Sequence, residues 1–326
     1  MTISLQDMHQ KAAQLYEEKN LQEALKIYEQ IILNNPADEV ALSCAMDIYL
    51  ELGDKFNYYL SRANVNIAQN KLEYAINDTK KALELNQDSI DARRKLARLY
   101  KVDGKHLKAV DEFLKILETS SKEKDCYFEL VELYMQENST DSAISVALRA
   151  NEEFKDDYQT GNLLAQLYFN VNDFKSALKY VKDDLLKIKI LLQDEQNDLA
   201  NEELSKIDYN SLVEGAKGSY HILKAQYLYN TDKFNEALAE VENYVKIAKP
   251  NPVAFQMKAL IYEGLNDNFN SHLNWGFCYK LQRKFDDATV EFDAAYKINP
   301  KDKTVLIELA NLYQYNKERY VAIEFW

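Results

Sequence analysis

Ala75, Ala109, Ala143 and Ala177 recur along the chain at i, i+34, i+68 and i+102. A fixed period of that length means that the protein is built from copies of one small unit, each burying its apolar face on its neighbours. Upstream of the last three alanines the same pattern returns: Leu96, Ala97 and Tyr100 before Ala109, Leu130, Val131 and Tyr134 before Ala143, and Leu164, Ala165 and Tyr168 before Ala177. Spacings of i, i+3 and i+4 place such residues on one face of a helix. Each period therefore predicts a helix, a short polar turn and a second helix. Composition agrees, because 7 Gly and 4 Pro in 326 residues are too few for all-β or Gly-rich-loop folds. Hydrophobic residues at 47% and aromatics at 12% exclude a disordered chain, while 29% charged residues leave no stretch suited to spanning a bilayer.

The fullest copy runs over residues 269–302, where Trp275, Gly276, Phe277, Cys278 and Tyr279 are followed by Phe285, Ala288, Phe292, Ala295 and Pro300. This resembles the tetratricopeptide repeat (TPR), whose pattern is Trp/Leu-Gly-x-x-Tyr, then Ala, an aromatic and Ala on the second helix, then Pro. Residues 5–38 match through Ala12, Leu15, Ala24, Tyr28 and Pro36, and further copies begin at Phe56, Ile90, Lys124, Tyr158, Gly218 and Lys303. The resemblance covers nearly the whole chain. It implies an all-α, right-handed superhelical solenoid of antiparallel helix pairs.

The departures from the period carry information of their own. Ala24 to Ala75 and Ala237 to Ala288 are both spaced i, i+51, one and a half repeats, so each interval is expected to hold one extra helix and a phase break. Val40–Leu52 and Val253–Leu265 are expected to cap the preceding pair. The two regions align at an offset of 213, and Asp54-x-Phe56-Asn57 repeats as Asp267-x-Phe269-Asn270, which points to an internal duplication. In both, the Asp is expected to cap the next helix and the Phe to be buried. Ala177 to Ala237 is an irregular interval as well, with a degenerate helix pair at 185–207 and a loop-like run at 209–218 expected to act as a hinge. The expected division is 1–54, an N-terminal repeat and extra helix; 55–187, a regular array; 188–217, the degenerate pair and hinge; and 218–326, a C-terminal array. Trp326 falls in the register of Phe292, so the last repeat is expected to stop inside its second helix, as in a fragment of a longer protein or an end that packs on a partner.

A net charge of −13 repels a phosphate backbone, so nucleic acid is not an expected partner, and neither is a membrane. Cys44, Cys126 and Cys278 are odd in number and widely separated, which fits a reducing, cytoplasmic setting. Residues 1–10 lack the basic start and apolar run of a secretory leader. His9, His106, His221 and His272 show neither metal-ligand spacing nor an obvious Cys or carboxylate companion, and are expected to be structural or surface groups. Phosphate-binding Gly loops are absent, and the Asp267 segment carries Ser271 and Phe277 where a calcium loop needs Gly and Glu. No cofactor, metal or catalytic constellation is expected.

In the family, positions 2, 5, 6, 9, 12 and 13 of each first helix line a concave groove, and the resemblance implies that role here. The groove candidates are Tyr16, Asn64, Arg94, Lys95, Arg98, Lys101, Glu132, Gln166, Phe169, Tyr229, Asn274, Phe277 and Asn311. Arg94, Arg98 and Lys101 are spaced i, i+4, i+7 and project together. They suit a carboxylate or acidic segment, or else pair internally with Asp91, Glu129 or Glu132. The chaperone-tail clamp of some family members is not reproduced, since Lys95 follows Asn64 where a second Asn belongs, and Asp125 and Glu129 stand where Lys and Arg belong. The expected function is a non-catalytic scaffold that binds an extended peptide or protein partner. The alternative is a recruiting or regulatory region of a longer protein with a catalytic domain beyond residue 326.

Overall fold

The structure, a computed structural model, describes residues 4–249 and 251–315. Within these residues every regular element is helical and there is no strand. The helices fall into two units, residues 1–160 and 161–326. The expected final half-helix ending at Trp326 lies outside the described residues.

The first unit contains α1 (Leu5–Glu17), α2 (Leu21–Asn34), α3 (Glu39–Glu51), α4 (Lys55–Ala68), α5 (Leu72–Leu85), α6 (Ile90–Val102), α7 (His106–Thr119), α8 (Lys124–Gln136) and α9 (Thr140–Glu153). Neighbours in sequence pack on one another. The repeat alanines Ala75, Ala109 and Ala143 are fully buried where second helices meet first helices. Phe113, Tyr127, Ile116 and Leu130 fill the largest core, which extends from Ala63 to Ala150. A side chain of that size stabilises by about 1.5–3 kcal/mol when buried.

Helix α10 (Tyr158–Asn170) contains the division at residue 160. The second unit continues with α11 (Phe174–Tyr180), α12 (Asp184–Gln193), α13 (Asn197–Lys206), α14 (Glu214–Asn230), α15 (Phe234–Ile247), α16 (Pro252–Gly264), α17 (Asn268–Leu281), α18 (Phe285–Ile298) and α19 (Lys303–Tyr315). The degenerate pair expected at 185–207 is α12 and α13. The run 209–218 is not one long loop: Tyr209–Ser211 form a 3₁₀ turn and α14 begins at Glu214. Helix α11 has only seven residues, because the Asn162 side-chain oxygen accepts from the backbone N–H groups of Lys182 (2.7 Å) and Asp183 (2.9 Å) and ends it. Gly161 permits this approach, since a Cβ there would lie 2.8 Å from the Tyr180 carbonyl oxygen.

Tight turns explain how so regular an array manages with seven glycines. Lys19, Asn70, Asn138, Asn172, Asp232, Asn266 and Arg283 each adopt φ between 56° and 61° just after a helix, as Gly53 and Gly104 do at 72° and 69°. A left-handed residue at this position lets the following N–H groups return to the last carbonyls, and Asn is the best substitute for Gly there. Lys19 N–H bonds to the Tyr16 carbonyl and Asn20 N–H to that of Leu15, for example. Successive turns of this kind keep the repeat period at Asn70, Gly104, Asn138 and Asn172. Gly53 to Asn70 and Asn266 to Arg283 are separated by only half that period, so each of the two longer alanine intervals holds one helix more than its neighbours.

The extra helices attach forward as well as back. Helix α3 packs more extensively on α4 than on α2, and α16 more on α17 than on α15, so α3–α4–α5 and α16–α17–α18 are triplets joined by two tight turns. In both, Asp caps the middle helix as expected. Asp54 accepts from Asn57 N–H at 3.0 Å and Asn57 Nδ2 at 2.7 Å; Asp267 accepts from Asn270 N–H at 3.1 Å and Asn270 Nδ2 at 2.7 Å. Such a cap is worth about 1 kcal/mol. Phe56 and Phe269 are half-buried rather than buried, Phe269 lying at the edge of the core formed by Ala288, Phe292 and Leu309.

Candidate protein-interaction surface

Helix α6 carries the densest group of candidate residues, and α4 and α8 lie on either side of it in the array. Its N-cap Ser89 accepts from Ala92 N–H at 3.2 Å, which sets the helix phase. Ala92, Leu96, Ala97, Leu99 and Tyr100 are buried, so Asp91, Arg94, Lys95, Arg98 and Lys101 fall on the remaining faces. The basic residues reach carboxylates. Arg94 bonds Asp91 at 3.0 Å and Glu123 at 2.5 Å. Arg98 Nε lies 3.1 Å from Glu129, and Lys101 Nζ lies 2.8 Å from Glu129 and 2.6 Å from Glu132. Lys95 donates to the side-chain carbonyl of Asn64 on α4. Burial lowers the Lys95 pKa, and Asp91 opposes that effect. Burial raises the Glu129 carboxyl, but the bonds from Lys101 and Arg98 outweigh it and hold the group below the usual carboxylate range.

Beside this ladder lies a cavity of about 400 Å³ lined by Ile67, Asp91, Arg94, Lys95, Arg98, Leu99 and Val102. Its apolar wall was not anticipated from the sequence. Val102 is 75% exposed and Ile67 42%. Arg98 remains 53% exposed although it is paired.

The other candidates are dispersed. Tyr16 donates to Glu51 at 2.5 Å, and this bond pushes its hydroxyl pKa up to about 12. Gln166 bonds Asn170 at 2.8 Å, and the Phe169 ring lies 4.8 Å from Lys189 Nζ. Tyr229 packs on Phe234. Asn274 is buried, donating to the Asn270 carbonyl at 2.7 Å, and Phe277 sits between Phe255 and Phe292. Both belong to α17, the middle helix of a triplet, which packs on the helix before it more extensively than α6 does on α5. Asn311 is exposed on α19.

All four histidines have carboxylate partners, contrary to the expectation from local spacing. His9 meets Asp38 at 3.0 Å, His106 meets Glu137 at 2.6 Å, His221 meets Glu240 at 2.6 Å and His272 meets Glu291 at 2.7 Å. The last two, with Arg93–Glu112 at 2.9 Å, join a first helix to its second helix at the spacing i, i+19. A second series is spaced i, i+16: Arg62–Asp78, Lys187–Glu203 and Lys224–Glu240. These are hairpin staples. Among the described residues there is no group of three metal-ligating side chains, and no helix is long and apolar enough to cross a membrane.

A family model, the ARM repeat of tetratricopeptide repeat protein 21, matches residues 51–184, the stretch in which the alanine period is unbroken. Over that stretch the chain is similar to the tetratricopeptide-repeat family. The TPR array is also similar to DnaJ homolog subfamily C member 3 of Rattus norvegicus, 23% identical over a 312-residue alignment covering 78% of this chain and 62% of that protein. The chain thus spans less than two thirds of the length of that curated relative. Among solved structures, a tetratricopeptide repeat protein of Parabacteroides merdae ATCC 43184 is 14% identical, with 95% of this chain and 98% of that chain covered at a TM-score of 0.38. Pseudomonas aeruginosa pilF is 13% identical, with 81% and 98% covered at a TM-score of 0.40. The likeness is carried by the repeat, the hairpin turns and the family model over residues 51–184.

Proposed function

We propose that this TPR protein is a non-catalytic scaffold whose first unit binds a protein partner through a peptide segment carrying both apolar and acidic side chains. The observation that supports this most is the cavity beside α6, where Arg94, Lys95 and Arg98 face exposed Ile67 and Val102. Guanidinium groups recognise carboxylates through paired N–H donors, and the aliphatic wall supplies the burial that a charge pair alone does not. Asn64 and Lys101 flank the same surface, and Glu132 at its edge sets the sign of the neighbouring contact. A cytoplasmic setting fits the three free cysteines. The greater length of the curated relative supports a second reading, in which the array recruits a partner for another domain of a longer protein.

A photo-cross-linking residue placed at Val102 and, separately, at exposed Lys11 tests the proposal. Cross-linked partner peptides from position 102 are expected to pair aliphatic with acidic residues. The same peptides captured equally from position 11 would contradict a site at α6.

A further inference from the structure

The second unit holds a larger cleft whose chemistry differs from that of the first. Its volume is about 720 Å³, and its walls come from α12, α14 and α16, with Tyr244 of α15 at the floor. Helix α14, at 17 residues the longest among the described residues, packs against both α12 and α16. Gly218 brings Tyr244 close, since a Cβ there would stand 3.2 Å from the ring, and the Tyr244 hydroxyl is fixed by Asn251 at the start of α16.

The lining follows one rule on two helices. Helix α14 contributes Ser219, Ile222, Leu223 and Gln226, and α16 contributes Val253, Gln256, Met257 and Leu260, both at i, i+3, i+4, i+7. That spacing is the stripe a helix ordinarily covers with another helix, and two such stripes side by side form a groove that takes a helical ridge. Val253 remains half-exposed on its wall. The charge on the lining is also specific. Asp183 is committed as the cap of α12, accepting from Leu186 N–H at 2.7 Å. Lys189 has no carboxylate partner among the described residues and rests over the Phe169 ring.

The geometry points to this cleft as the docking site for an amphipathic helix of a partner protein, with an aliphatic stripe on α14 and α16 and a carboxylate beside that stripe at Lys189. It extends the scaffold reading to a second site and does not depend on the α6 cavity. The test uses the full chain and three labelled synthetic peptides of about four helical turns, read by fluorescence anisotropy at about 0.15 M salt. One has Leu at i, i+3, i+4 and i+7 flanked by Glu, one has Lys in place of the Glu, and one carries two central prolines. The Glu peptide is expected to bind at least tenfold more tightly than the other two. Lys189→Glu should reverse the Glu-over-Lys preference, Val253→Glu should weaken the Glu peptide at least tenfold, and Lys11→Glu, at an exposed position outside both clefts, should leave it unchanged. Equal binding of the proline peptide, an unreversed preference in Lys189→Glu, or no saturable binding would overturn the inference.

Discussion

The Arg98 guanidinium of α6 lies 3.1 Å from the Glu129 carboxylate of α8, so one repeat neutralises the exposed base of the previous one. Glu129→Gln removes that competitor and also releases Lys101 from one of its two partners. An acidic peptide bound at the α6 cavity is therefore expected to bind a few-fold more tightly to Glu129→Gln than to the unaltered protein, as measured by calorimetry. The pair also makes stability depend on pH in a fixed direction. Because the folded Glu129 carboxyl is held low, its contribution is present above the unfolded value of about 4.3 and is lost as pH falls through the folded value.

His221 and Glu240 form the best-sheltered staple. Burial raises the Glu240 carboxyl, but Lys224 and His221 together pull it below the usual range. Glu240→Gln is expected to cost about 1.5–3 kcal/mol. Glu291→Gln, whose partner His272 is more exposed, should cost about 1 kcal/mol or less. Urea unfolding at pH 7 ranks the two, and the gap should shrink as the pH is lowered into the acid range, where Glu240 takes up its proton.

Arg283 occupies the left-handed turn position between α17 and α18 at φ 61°. A non-Gly side chain pays roughly 1–2 kcal/mol there. Arg283→Gly is expected to raise stability by about 1 kcal/mol, visible as a higher thermal midpoint. An unchanged or lower midpoint would show that the arginine side chain compensates elsewhere.

Gly276 behaves in the opposite way. A Cβ at this position in α17 would stand 2.6 Å from Cε1 of the fully buried Phe292 ring. Alanine favours helix over glycine by about 1 kcal/mol, yet overpacking typically costs about 1–3 kcal/mol. Gly276→Ala is accordingly expected to destabilise the second unit, with the loss concentrated in hydrogen-exchange protection of α17 and α18.

What could be read from the sequence was local. The alanines at 75, 109, 143 and 177, and the caps at Asp54 and Asp267, depend on residues a few positions away, and the structure places them as their spacing predicts. The histidine partners were hidden because the carboxylates lie far off in sequence, across a turn for His221 and His272 and across a repeat for His106. Asn274 and Phe277 illustrate a different limit. Family register puts them on an open face, but α16 packs on α17 more closely than α5 does on α6, and small residues such as Ser271 and Gly276 are buried in that packing. Asn162 truncating α11 had a signal in Gly161 that only the fold makes intelligible. Both clefts were missed because their walls combine residues of two or more helices.

The measurement that bears most directly on the scaffold account is the affinity of the partner peptide cross-linked at position 102, titrated calorimetrically against the unaltered chain, Arg98→Glu and Lys11→Glu. The account predicts that Arg98→Glu binds about tenfold more weakly, with the thermal midpoint lowered by no more than about 2–4 °C, and that Lys11→Glu binds as the unaltered chain does. Equal affinities for all three would mean that the α6 ladder only ties one repeat to the next, and would contradict the proposed site.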